Sequence, residues 1–236
     1  MGGVYRGGRR ARVSVRTRGG GLELRVDGTF ASFLVPGRAT TGSVWDALAA
    51  PLLLLPPRRR RRILVLGLGG GSAARLVRAL APAAHVVGVE LDAEVLGMAR
   101  RRLGLDALGL EVVRADAREF LAAERRRFDA ILEDVFVGRG RQVRKPAWLP
   151  EPGLALAARR LARGGILVSN ALDEAASVEH AMRRLFPARL RIEIEGFDNR
   201  IVVGGAPGLS GRALRGRARA EPLLDHALPR LSFRTL

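Results

Sequence analysis

Short apolar runs and amphipathic stretches alternate over most of the chain. Leu22–Val26 alternates apolar and charged residues, the period-two pattern of a half-buried strand. Asp27-Gly28 follows as a hairpin-turn signal, and Phe30–Val35 returns as a second strand before Pro36-Gly37. A helix is predicted over Ser43–Leu54, with Ser43 as N-cap and Pro56-Pro57 as its stop. The pattern then changes. Ile63–Leu66 is a fully apolar run that reads as a buried parallel strand, Val86–Val89 is a second buried strand, and Leu110–Val113, Phe128–Leu132 and Ile166–Ser169 are the third, fourth and fifth strands. Predicted helices separate and follow them: Ser72–Leu80, a helix capped by Asp92 and running to Leu103, Ala117–Arg125, Gly153–Ala162 and Glu174–Leu185. Leu190–Glu195 and Arg200–Val203, joined by Gly196–Asn199, close the pattern as a hairpin.

Strand and helix in strict alternation predict right-handed βαβ units and an α/β, Rossmann-like fold. The expected sheet is mostly parallel, with seven strands and an antiparallel terminal hairpin. A small N-terminal β-hairpin region precedes it. Four segments are expected: a flexible basic N-terminus over 1–20, a hairpin plus helix over 21–57, a nucleoside-binding unit over 58–206 and a C-terminal extension over 207–236.

Sheets of this kind bind ligands at the carboxyl ends of their strands, and Gly67, Glu90, Asp116 and Asp134 all fall just beyond such ends. In ILVLGLGGGS, Gly67, Gly69 and Gly71 leave a strand and open a helix, where glycine lets the backbone turn sharply and approach a ligand. Glu90 lies 23 residues beyond Gly67, where a carboxylate can accept from both ribose hydroxyls. That spacing suits a nicotinamide dinucleotide as well as an S-adenosyl nucleoside. Asp116, in VVRADAREF, can accept from the exocyclic amine of adenine, which favours the S-adenosyl reading; it can also cap the following helix. Asp134, in FDAILEDVFVG, sits where a carboxylate could deprotonate or orient an amine nucleophile, or serve as a structural acid.

Charge and composition narrow the classes. The net charge is +18, and residues 1–62 contribute +10 of it, from 13 basic and 3 acidic side chains. Such an arm could attract nucleic acid, an anionic membrane or an acidic protein, but no nucleic-acid reading module accompanies it. Lys145 is the only lysine among many arginines, the signature of a GC-rich coding sequence. There is no cysteine, which excludes disulfides, thiolate metal sites and cytosine-C5 methylation through a cysteine nucleophile. The three histidines are far apart, so no metal site is inferred. The longest apolar run, Ala47–Leu55, is too short to cross a bilayer, and a cytoplasmic location without membrane contact is expected.

The glycine loop, Glu90-Leu91-Asp92, the Asp116 segment, FDAILEDVF, LARGGILVSN, NRIVVG and the LRVDGTFAS hairpin together resemble the spermidine synthase family over about residues 22–205. The resemblance implies the class I methyltransferase fold, S-adenosylmethionine or its decarboxylated form as co-substrate, and a homodimer. It implies that Gly67, Gly69 and Gly71 line the nucleoside, Glu90 holds the ribose, Asp116 reads the adenine and Asp134 is catalytic. The acceptor half departs from the family. Ala31 replaces the hairpin glutamine, Trp45-Asp46 replaces a tyrosine or histidine followed by glutamate, Gly70 replaces an aspartate of the glycine loop, and Val137 stands where the second aspartate of the DSSDP signature holds the polyamine. The loop bearing Arg139, Arg141, Arg144 and Lys145 suggests an anionic small-molecule acceptor. Three readings follow: alkyl transfer to an unidentified acceptor, polyamine aminopropyl transfer, and a non-catalytic nucleoside-binding or basic interaction protein.

Overall fold

The computed structural model describes residues 12–236. Residues 1–11 of the segment expected to be flexible lie outside the described residues; the rest of that segment contains a strand, β1 (Val13–Arg18). It pairs antiparallel with β2 (Gly21–Val26), which pairs with β3 (Thr29–Leu34), so the expected hairpin is a three-stranded sheet. The β2–β3 turn has positive φ at both Asp27 (47°) and Gly28 (81°), the tight-turn geometry that Asp-Gly favours. Glu23 of β2 is buried, where Arg16, Arg18 and Arg25 converge on its carboxylate.

The helix expected over Ser43–Leu54 splits in two. α1 covers Val44–Ala49, and Ala50–Leu54 tightens into a 3-10 turn. Pro51 explains the break, since it has no N–H to donate back to the preceding turn. The alternating part then runs as expected: β4 (Arg62–Leu66), α2 (Ser72–Leu80), β5 (His85–Glu90), α3 (Ala93–Leu103), β6 (Glu111–Arg114), α4 (Ala117–Ala123) and β7 (Phe128–Glu133). α5 (Gly153–Ala158) is shorter than predicted, because β8 (Leu161–Ala171) begins earlier. Opposite β7 the register shifts from Phe128↔Leu161 to Ala130↔Ile166, so Ala162–Gly165 bulges, with Gly164 at φ 71°. α6 (Ala175–Leu185), β9 (Ala188–Ile194) and β10 (Arg200–Gly205) follow.

The segment expected as a C-terminal extension folds into α7 (Gly211–Arg219) and β11 (Leu231–Thr235). β11 pairs with β9 and makes the main sheet eight-stranded, in the order β11-β9-β10-β8-β7-β4-β5-β6. β4 to β8 are mutually parallel, whereas β10 inserts antiparallel between β8 and β9. Side chains alternate across the sheet. Ile63 and Val65 face one hydrophobic layer with α1, α2 and α7; Leu64 and Leu66 face the other with α4, α5 and α6. Burial on both faces is why the Ile63–Leu66 run carries no polar position. Among the described residues no helix is long and apolar enough to cross a membrane.

Candidate nucleoside and transfer site

β4 ends at Leu66, and the chain must turn at once to enter α2. Gly67, Gly69 and Gly71 make that turn with φ of 77°, 54° and 86°. A Cβ at Gly67 would run into the Asp134 carbonyl, and one at Gly71 would lie 2.8 Å from Leu105. Here the backbone itself approaches its neighbours closely, and only glycine permits it. The small sheet closes over the loop. Ser32 Oγ accepts from Gly70 N (2.6 Å), while Ser72 Oγ accepts from Phe33 N (2.8 Å) and donates to Phe33 O (2.9 Å).

Glu90 ends β5 one strand away. Its carboxylate accepts from Gly69 N (2.8 Å) and Asp92 N (3.0 Å), which ties it to the glycine loop and to the start of α3. Burial pushes this carboxyl above the ordinary glutamate value despite those bonds. Asp116 follows β6 and caps α4 through Oδ1, accepting from Arg118 N (2.7 Å) and Glu119 N (3.4 Å). The capping role is therefore realised, and the carboxylate's second oxygen takes no part in it. Ala115 N bonds to Glu90 O (3.1 Å), which sets Asp116 beside the Glu90 strand end.

Asp134 lies on the other side of the glycine loop, just past β7, with its N–H donating to Leu66 O (2.8 Å). Both carboxylate oxygens are held. Trp45 Nε1 donates to Oδ2 (2.9 Å) and Asn170 Nδ2 to Oδ1 (2.7 Å); Asn199 in turn donates to Asn170 Oδ1 (2.9 Å). Burial pushes the Asp134 carboxyl up to about 6, with Glu133 adding to the rise; Asn170, Lys145 and Trp45 oppose it. The strand order β7-β4-β5-β6 thus lines up Asp134, the glycines, Glu90 and Asp116 along one edge. Three strand spacings of about 4.8 Å make that row roughly 14 Å long.

A methyltransferase-domain family model matches residues 63–165, the stretch that contains this row. Sequence comparison with curated proteins finds no match. Among solved structures, a probable spermidine synthase from Corynebacterium glutamicum superimposes with TM-score 0.77 at 22% identity, covering 99% of this chain and 90% of its own. The chain has the spermidine-synthase-like form of the class I methyltransferase fold. A spermidine synthase in complex with the transition-state analogue AdoDATO shares this spermidine-synthase-like fold at TM-score 0.67 and 18% identity, over 83% of this chain and 70% of that one. Human methyltransferase-like protein 13, in complex with SAH, matches at TM-score 0.62 and 25% identity, over 79% and 92%.

Within this spermidine-synthase-like fold, the loop after β7 differs from the sequence expectation. Lys145 is not a cation facing an acceptor. Its ammonium is buried on Glu133 Oε1 at 2.7 Å. Arg139 turns to Asp27 of the small sheet (3.0 Å), Arg144 is exposed, and the Arg141 side chain lies outside the described part. Trp45 and Asn170 were missed as site residues. The only sequence signal for Trp45 was its departure from the family pattern; for Asn170 it was a polar residue following the fifth apolar run. Asp46, beside Trp45, is a loop-holding acid that accepts from Thr41 N (2.9 Å) and Gly42 N (2.7 Å). Beyond Asn199 a cavity of about 630 Å³ opens at the β9–β10 turn, and Asp173, Glu193, Glu195, Asp198 and Arg230 are among its walls.

Proposed function

We propose that this protein is a transferase that binds S-adenosylmethionine or its decarboxylated form along the carboxyl edge of the sheet and passes an alkyl group to an amine. The observation that carries this reading is Asp134, fixed by Trp45 and Asn170 beside the glycine turn, with its carboxyl pushed up to about 6. A carboxylate of that basicity is ionised at neutral pH and still able to accept a proton. Gly67, Gly69 and Gly71 would line the nucleoside, Glu90 would accept from the ribose hydroxyls, and the free oxygen of Asp116 would accept from the adenine amine. What supports this fit is that the turn leaves no room for a Cβ at Gly67 or Gly71, that Glu90 ends β5 and that Asp116 follows β6 on the same edge. The sulfonium donor supplies an activated carbon. As the carbon–sulfur bond breaks and the carbon–nitrogen bond forms, the nitrogen's proton passes to Asp134.

An amine replaces the anionic acceptor suggested by the loop sequence, for two reasons. Lys145 is already neutralised by Glu133. The neighbouring cavity carries four carboxylates against the guanidiniums of Arg200 and Arg230. The same cavity supports polyamine aminopropyl transfer as the second reading, although Val137 stands in place of the expected aspartate. Calorimetric titration with each donor separately tests the proposal. Preference for the decarboxylated form supports aminopropyl transfer, and preference for S-adenosylmethionine supports methyl transfer. Binding of neither would overturn the transferase reading and leave a non-catalytic fold.

A further inference from the structure

The chain's single lysine occupies an unusual place. The side chains of Lys145 and Glu133 are each 1% exposed, and their ion pair sits at the end of β7, one residue before Asp134. Glu133 also accepts from Ser169 Oγ (2.5 Å) and Val135 N (2.8 Å). The Lys145 ammonium donates to Val135 O (3.2 Å) and stands 4.0 Å from the Phe136 ring centre. Its own backbone N–H donates to Glu174 (2.7 Å) at the start of α6. Every one of these bonds closes the base of the segment from Asp134 to Lys145. The segment's middle is a narrow hairpin, with Val137 and Arg144 exchanging backbone bonds of 2.8 and 2.9 Å. Its tip docks on the small sheet through Gly140 N to Thr29 Oγ1 (2.9 Å) and Arg139 to Asp27.

A buried ion pair is an expensive way to hold a loop, since apolar residues of similar size often serve as well or better. What it adds is charge at a defined place beside a carboxylate. We propose that Lys145 is a positioning residue, which pins the hairpin over the end of β7 and holds Asp134 where Trp45 and Asn170 reach it. The charges of the pair act on Asp134 in opposite senses: Lys145 favours its ionised form and Glu133 disfavours it. The inference rests on reading Asp134 as the reacting carboxylate, but its test needs neither donor nor acceptor.

The test uses nitrogen-15 spectra of the full chain, which has two tryptophans and therefore two indole N–H signals. Replacing Trp148 assigns the Trp45 signal. In the wild type that signal should follow Asp134 and titrate with a midpoint of about 6; Asp134→Asn should abolish the titration. Lys145→Met should move the midpoint up by about one pH unit, and Glu133→Gln should move it down. A residue of purely structural importance would give both variants the same shift or none, and that result overturns the proposal. So does a wild-type signal that does not titrate. Tryptic cleavage is the second readout. Arg139 and Arg144 are exposed cutting sites, and the bond after Lys145 precedes proline, so replacing the lysine removes no tryptic site. If Lys145→Met fails to fold, the Lys145→Met/Glu133→Gln double variant decides, because it leaves no unpaired buried charge. Cleavage of the 139–145 stretch should then rise on the order of tenfold with the thermal transition retained. Cleavage at the wild-type rate would overturn the proposal. Absence of nucleoside binding by the wild type, with the titration shifts as expected, would count against the transferase reading alone.

Discussion

Trp45 Nε1 donates to Asp134 Oδ2 at 2.9 Å across 89 residues of sequence, and so ties the helix after the small sheet to the centre of the main one. Hydrogen bonds to charged groups are worth about 1.5–3 kcal/mol, and one pKa unit corresponds to about 1.36 kcal/mol. Trp45→Phe keeps the ring packing on Phe30 and removes the donor. The Asp134 titration should then move up by about one to two units, and turnover near neutrality should fall. Nucleoside affinity, measured by calorimetry, should stay within about twofold.

Asp134→Asn should spare nucleoside binding and lower turnover by about 10²–10⁴-fold, the usual contribution of a positioned general base. It should also change how stability responds to pH. The folded-state value of about 6 lies above the ordinary aspartate value of 3.8. The folded protein therefore holds this proton more tightly than the unfolded chain. That stabilising effect is complete below about pH 3.8 and is lost as pH rises through about 6. The variant has no such proton to lose. Denaturation at pH 5 and pH 8 should show it gaining on the wild type as pH rises; a constant difference would contradict the assigned shift.

Glu90→Ala and Asp116→Ala should each weaken nucleoside binding by about 10–100-fold. Both should also destabilise the fold, by about 1 kcal/mol or more, because Asp116 caps α4 and Glu90 satisfies the Gly69 and Asp92 amides. Asp116→Asn separates the two roles, since asparagine caps a helix as well as aspartate does. That variant should melt like the wild type yet bind more weakly. Unchanged affinity in all three would remove the nucleoside assignment.

Gly67→Ala should be severely damaging. It places a Cβ against the Asp134 carbonyl at a backbone φ of 77°. The left-handed conformation alone costs about 1–2 kcal/mol for a non-glycine residue. A fall in the thermal midpoint together with loss of nucleoside binding is expected, whereas Gly104→Ala, at φ 63° with nothing near its Cβ, should lower the midpoint only modestly.

The fold was readable where its signal was local. Each strand from β4 to β8 contains a mainly apolar stretch whose carboxyl end could be located from sequence, and Asp134 was found in that way. β1 was missed because VSVRTR lies in an arginine-rich stretch and exposes most of its residues. α7 was missed because GRALRGRAR buries only Gly211, Leu214 and Ala218 and is otherwise polar. The partners of Asp134 were hidden for another reason. Trp45 and Asn170 lie 89 and 36 residues away, and a pairing at such separation leaves no periodic trace. Lys145 was misread as a free cation because burial is a property of the folded loop, not of the basic residues surrounding it in sequence.

The stitching of Ser32 to Gly70 and of Ser72 to Phe33 makes the N-terminal meander part of the floor and wall of the glycine turn. Whatever settles into that turn must stiffen or lift β3. The Phe33 amide, distant from any reacting atom, thereby becomes a remote reporter whose solvent exchange would slow or quicken with occupancy.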